Sequence, residues 1–130
     1  MSMTHSWELQ QALYWALSAA PAITDHATVL DAAASEVAGD YVAIGEEQVR
    51  RKGPGLTEHD VTIEVHSAAQ GFASAKQIAA EVAAVLVATP PALSGATVAD
   101  LRFFKARSRR GKGTARRSIQ LTFRILIDAN

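Results

Sequence analysis

The stretch Arg116-Arg117-Ser118-Ile119-Gln120-Leu121-Thr122-Phe123-Arg124-Ile125-Leu126-Ile127-Asp128 alternates with a period of two. Ile119, Leu121, Phe123, Ile125 and Ile127 share one phase; Ser118, Gln120, Thr122, Arg124 and Leu126 share the other. Successive side chains of a strand point to opposite faces, so this pattern describes a strand with one apolar and one wetter face. A sheet with one wet face is characteristically antiparallel. Residues 97–107 read as the strand before it, with Leu101 and Phe103 in phase. Residues 108–115, basic and Gly-containing, form the tip of the resulting hairpin.

Upstream, residues 71–89 carry Ala75, Ile78, Ala79, Val82 and Leu86 on one helical stripe, and Pro90-Pro91 stops the helix. The stripe is mostly Ala and Val, so the helix can approach a sheet closely. Residues 41–51 and 58–67 are two further strands. Val61, Ile63 and Val65 point one way; Thr62, Glu64 and His66 point the other. Lys52-Gly53-Pro54-Gly55 joins them as a turn, because Pro fixes φ and Gly permits a positive one. Residues 6–20 make the first helix, with Leu9, Leu13, Ala16, Leu17 and Ala20 on one face, Ser6 as N-cap and Pro21 as its end. Trp7 and Tyr14, seven apart, form a second stripe suited to core packing, with a partner surface as the alternative. Residues 28–31 have the look of a short strand that this reading leaves outside the sheet. The expectation is an α+β two-layer domain: an antiparallel four-stranded sheet of two hairpins, covered by two helices, in the order αββαββ. Residues 1–130 form one domain, and no linker divides them.

Composition narrows the classes. Apolar residues make up 48% of the chain, enough for a globular core. There is no cysteine, which excludes disulfides and thiolate metal sites. Residues 1–6 show no basic segment leading into an apolar run, so no signal peptide is expected. The most apolar stretch, 78–88, contains Glu81 and falls short of the roughly 20 residues a membrane span takes.

No chemical motif survives inspection. Gly111-Lys112-Gly113-Thr114 resembles part of a phosphate-binding loop, but Ala106 stands where the earlier Gly belongs and strands flank it on both sides. His5, His26, His59 and His66 lack ligand spacing. Glu46 and Glu47 are strand neighbours and face opposite ways, so they form no acid/base pair. The reading expects no enzyme, cofactor or metal.

Charge is the remaining signal. The chain has 13 basic and 13 acidic residues, yet eight of the basic ones lie between Arg102 and Arg117, and no Asp or Glu occurs between Asp100 and Asp128. Glu46, Glu47, Glu58, Asp60 and Glu64 crowd the other hairpin. Phe103 and Phe104 flank the basic group, at least one of them expected in the core. Basic residues on a hairpin can simply guard a sheet edge. They also suit phosphate. A subunit positive at one end and negative at another can equally bind a copy of itself head to tail, and such contacts close into rings.

The whole pattern resembles the tail-completion, or tail-terminator, family of long-tailed bacteriophages and phage-derived gene transfer agents. The resemblance runs over about residues 9–128. It is carried by Leu9-Gln10-Gln11-Ala12-Leu13-Tyr14, Val29-Leu30-Asp31-Ala32, Tyr41-Val42-Ala43-Ile44-Gly45-Glu46, the Glu58–Ser67 strand with its His59-Asp60 pair, Gly71 with Ala75-Lys76, and Ser118-Ile119-Gln120-Leu121-Thr122-Phe123-Arg124. Asp40 departs from it where Pro is expected. The resemblance implies a structural, non-enzymatic protein of a phage-like particle, made in the bacterial cytoplasm. It implies a homo-hexameric ring that caps the tail tube at its head-proximal end, stops polymerisation and joins the head connector. The implied partners are further copies of the chain, the tail tube protein and a connector or stopper protein, with non-specific DNA contact in the lumen and no membrane. Arg107, Arg109, Arg110, Lys112, Arg116 and Arg117, with Glu46 and Glu47 opposite in charge, are the expected interface residues. The alternatives are a neck or stopper protein of the same particle and a small basic nucleic-acid-binding module.

Overall fold

The computed structural model describes residues 5–31, 39–68, 71–110 and 116–130. Its elements are α1 (Ser6–Ser18), α2 (Pro21–Thr24), β1 (Thr28–Leu30), β2 (Tyr41–Gly53), β3 (Leu56–Ser67), α3 (Ala73–Ala88), β4 (Thr97–Arg110) and β5 (Arg117–Asp128). None of these helices is long and apolar enough to cross a membrane.

The strands form one five-stranded mixed sheet in the order β1-β2-β3-β5-β4. This corrects the antiparallel four-stranded sheet and the order αββαββ. The extra strand is β1, which pairs parallel with β2 through Thr28↔Tyr41, Val29↔Val42 and Leu30↔Ala43. Three residues carry too little alternation to declare a strand, and a parallel neighbour leaves no hairpin signal between the two segments. The extra helical turn, α2, starts on Pro21, whose missing N–H costs nothing at a first helical position. Pro21 also shortens α1. The residue before a proline is driven out of the helical region, and Ala20 lies at φ −97°, ψ 107°.

The apolar phase of the last strand is the buried one. Ile119, Leu121, Phe123, Ile125 and Ile127 pack with Val61, Ile63 and Val65 of β3 beneath Leu9, Leu13 and Leu17 of α1 and Ala75, Ile78, Ala79, Val82 and Leu86 of α3. α1 lies toward the β1–β2 end of the sheet, while α3 covers β3, β5 and β4. At the β2–β3 turn Gly55 has φ +68°, which Pro54-Gly55 provides as expected. The last residues close on it: Ala129 N–H donates to Gly55 O and Asn130 Nδ2 to Pro54 O.

Asp40, the departure from the family pattern, has a local reason. Its carboxylate accepts the Ala68 N–H at 3.0 Å and the Ser74 hydroxyl at 2.9 Å, tying the start of β2 to the end of β3 and the start of α3. A proline side chain accepts neither bond.

Candidate assembly surface

β4 is an edge strand, and every residue from Arg102 to Arg110 is exposed. Its pairing with β5 continues through Arg107↔Gln120, Arg109↔Ser118 and Arg110↔Arg117. The strands therefore run further than the expected hairpin tip at 108–115. β3 ends at the same level, with Ser67 opposite Arg117. The basic segment is thus the rim of a sheet, not an arm standing clear of it. A register shift between Phe103 and Lys105 sets the phase. Beyond it Lys105, Arg107 and Arg109 lie on the face away from the helices, whereas Ala106, Ser108 and Arg110 lie on the α3 side. The same bulge half-exposes both Phe103 and Phe104, each at 45%, so neither belongs to the core. Phe103 meets the buried Phe123 edge-on at 6.0 Å. Phe104 lies under the Arg124 guanidinium at 3.9 Å.

The expected interface residues divide into groups. Arg107, Arg109 and Arg110 are exposed together on β4. Lys112, like the whole Gly111-Lys112-Gly113-Thr114 segment, lies outside the described residues. Arg116 and Arg117 are half-buried against the body. Arg116 donates to Gly39 O at 3.2 Å and sits 5.3 Å over the Tyr41 ring, which in turn stacks on His66. Arg117 lies 5.6 Å over Phe72.

The acidic hairpin is largely neutralised from within. Arg124 of β5 holds Asp60 of β3 by two bonds of 2.9 and 3.0 Å and lies 3.6 Å from Glu58. Arg50 of β2 reaches both carboxylates, at 3.2 Å to Glu58 and 3.4 Å to Asp60. Arg124 hydrogen bonding holds the Asp60 carboxyl below the usual carboxylate range; partial burial opposes this, and the Arg124, Arg50 and Lys105 charges reinforce it. Glu64 pairs with His66 at 2.8 Å. Glu46 and Glu47 diverge as strand neighbours do, and a second register shift lies between Ile44 and Glu47. Glu46 is exposed, with no ion-pair partner among the described residues. Glu47 turns inward, where its carboxylate bonds Nδ1 of the fully buried His59 at 2.8 Å and accepts the Ser6 hydroxyl. Ser6 is therefore not the helix cap; it opens α1, and its hydroxyl clamps that helix to β2. The other His59 nitrogen meets Thr57 Oγ1 at 3.0 Å. Burial pushes the Glu47 carboxyl up, but hydrogen bonds from His59 and Ser6, helped by His59 charge, take it below its ordinary value.

Asp60→Asn removes one charge from this partly buried network. Cross-strand pairs of this kind contribute modestly, so the expected loss is about 0.5–1 kcal/mol, seen as a small shift of the urea midpoint with unchanged slope. Because the folded pKa is depressed, that contribution is complete above the ordinary Asp pKa, about 4, and fades as pH falls through the folded value. A variant losing as much at acid pH as at neutrality contradicts this.

No three His, Cys, Asp or Glu side chains gather as a metal site requires among the described residues. What the surface offers is a basic edge, a free acid on β2 and exposed aromatics. Trp7 is 61% and Trp15 67% exposed, which removes Trp7 from the expected core stripe. The comparisons with known proteins give the family. The family model described as Tail completion protein gp17 matches residues 11–128. The chain belongs to this tail-completion family. Its fold is also that of a chain in the structure described as "Virion of native gene transfer agent (GTA) particle". That chain superposes with a TM-score of 0.85 at 34% identity, over 98% of the present chain and 99% of the other. A search of curated proteins finds no match. The family membership gives the protein a structural role in tail completion. Trp15 is the surface residue that sequence reasoning missed, although its spacing of eight from Trp7 marks one helical face.

Proposed function

We propose that this protein is the tail terminator of a phage-like particle. Copies of it close as a homo-hexameric ring on the head-proximal end of the tail tube, stop tube polymerisation and present a surface to the head connector. The observation that carries this reading is the agreement, over nearly the whole chain, with a chain of a gene transfer agent virion and with the tail-completion family. The exposed row Arg107, Arg109 and Arg110, with Lys112 following in sequence, supplies its basic contact, to the tube, to a neighbour or to DNA in the lumen. Arg116 and Arg117 anchor the start of β5, the strand on which β4 and its row pair. Glu46 is an acidic group available to a neighbour, and Glu47 ties its strand to α1.

Replacing Arg109, Arg110 and Lys112 together by alanine leaves the isolated domain folded, since exposed substitutions usually stay within about 0.5 kcal/mol. The expected defect lies in assembly: tubes of unregulated length or tails that fail to join heads, counted by electron microscopy of particles made with the variant. Normal tails from the triple variant would sink the role of this row. Any DNA binding by the free protein is expected to be weak and to fall steeply with salt.

A further inference from the structure

Two apolar features lie toward opposite edges of the sheet. The first, the α1 ridge, is a pair of exposed indoles bordering a cleft of about 200 Å³. Trp7, Gln11 and Trp15 stand on the face of α1 opposite the buried Leu9, Leu13 and Leu17. Tyr14 braces Trp15 edge-on at 5.5 Å, and Asp31 lies beside the ridge, close enough for Gln10 to bond its carbonyl. The second is concave. Between α3 and the β4 edge runs a shallow trough of about 330 Å³, floored by Ile119 and Leu121 and walled by Ala80, Ala83, Phe103 and Ala106. Lys76 stands in its lining, and Arg110 continues the same face of β4. Small side chains on α3 leave the trough open: alanines stand where larger residues would have filled it.

We infer that the α1 ridge of one copy seats in the α3–β4 trough of the next. This rests on the ring reading above and names its contact. Three observations select a second copy as occupant. Both are apolar, the ridge presenting two exposed indoles and the trough an open apolar floor. Their borders are opposite in charge, Asp31 beside the ridge and Lys76 with Arg110 beside the trough. Their positions also fit: α1 sits at the β1–β2 end and the trough at the β4 end, so the contact is heterologous and repeats from copy to copy, as ring closure requires. The size is adequate. Two fully covered indoles bury roughly 300–500 Å² together, about half of the roughly 800 Å² per partner of a standard interface.

The chain has no cysteine, so Gln11→Cys and Ala80→Cys each introduce one thiol at an exposed position while leaving both tryptophans in place. The full chain is concentrated until light scattering shows association, and the two variants are mixed and treated with a short bis-maleimide. The expected result is a covalent dimer from the mixture and none from either variant alone. Trp15→Ala is expected to raise the dissociation constant roughly 30-fold or more, as loss of a central aromatic anchor does, with an unchanged far-ultraviolet spectrum. A wild-type oligomer whose mixed variants do not cross-link overturns this contact and leaves the ring standing. Cross-linking of Gln11→Cys with itself overturns it too, because ridge would then meet ridge. A chain that stays monomeric to about 1 mM overturns the contact as a self-association surface; imaging the tail end then decides separately whether the ring exists.

Discussion

Phe123→Ala is expected to lower stability by about 3–5 kcal/mol, the cost of emptying a large aromatic site in a packed core. Phe123 is fully buried at the centre of β5, opposite Val61 on one side and Phe103 on the other. Both neighbouring strands are held along the whole length of β5, so they cannot close over the void. A domain of this size has about 5–15 kcal/mol in total, and the variant therefore stands near the unfolding threshold. Urea denaturation followed by circular dichroism measures the loss. Phe103→Ala is the control. Its ring is half-exposed, so it should cost no more than about 1–2 kcal/mol. Equal losses for the two rings would refute the placement of Phe103 at the surface and the β4 bulge that puts it there.

Glu47→Ala is the second large effect, about 2–3 kcal/mol. The variant strands a buried ring nitrogen of His59 and releases Ser6 together, and each unsatisfied buried group costs about 1–3 kcal/mol. Removing both members, with Glu47→Leu and His59→Leu combined, should recover much of that loss, since replacing both partners by apolar groups avoids the orphaned donor. Recovery that fails would mean the cluster contributes beyond mutual satisfaction. The pH sign follows from the lowered carboxyl. Its contribution is complete above the ordinary Glu pKa, about 4.3, and is lost as pH falls through the depressed folded value. The stability gap between wild type and Glu47→Gln should accordingly narrow between pH 5 and pH 3. A gap that widens there contradicts the direction of the shift.

The long elements were legible because each has a single dominant period. β5 shows five consecutive apolar positions at spacing two, and the α3 stripe of Ala75, Ile78, Ala79, Val82 and Leu86 is buried as its spacing says. β1 was hidden by its length. The surface was less legible than the core, for a reason of distance. Nothing near Asp60 in sequence announces Arg124, 64 positions later, as its partner, yet the register places them side by side. The apparent acidic hairpin is for this reason mostly neutral. The Glu47–His59 pair was equally hidden, since it depends on the bulge between Ile44 and Glu47 to turn the carboxylate inward. Trp7 was assigned to packing because aromatics on a helix usually pack. Its exposure follows from the Leu9, Leu13 and Leu17 face, which fixes the rotation of α1 and leaves the indoles outside.

β5 follows the other four strands in sequence yet lies inside the sheet, between β3 and β4. Once residues up to 110 have left the ribosome four strands are free, of which β3 and β4 share no edge with each other. Until Arg117–Asp128 emerges, the apolar faces of those strands have no partner to bridge them, and exposed edges of this kind invite wrong pairings. The sheet then closes in one late step across many residues of separation, which makes for slow folding. A nascent chain of this protein is therefore held unfinished until β5 has emerged, and a chain interrupted inside β5 should go to chaperones and proteases in place of a partly working subunit.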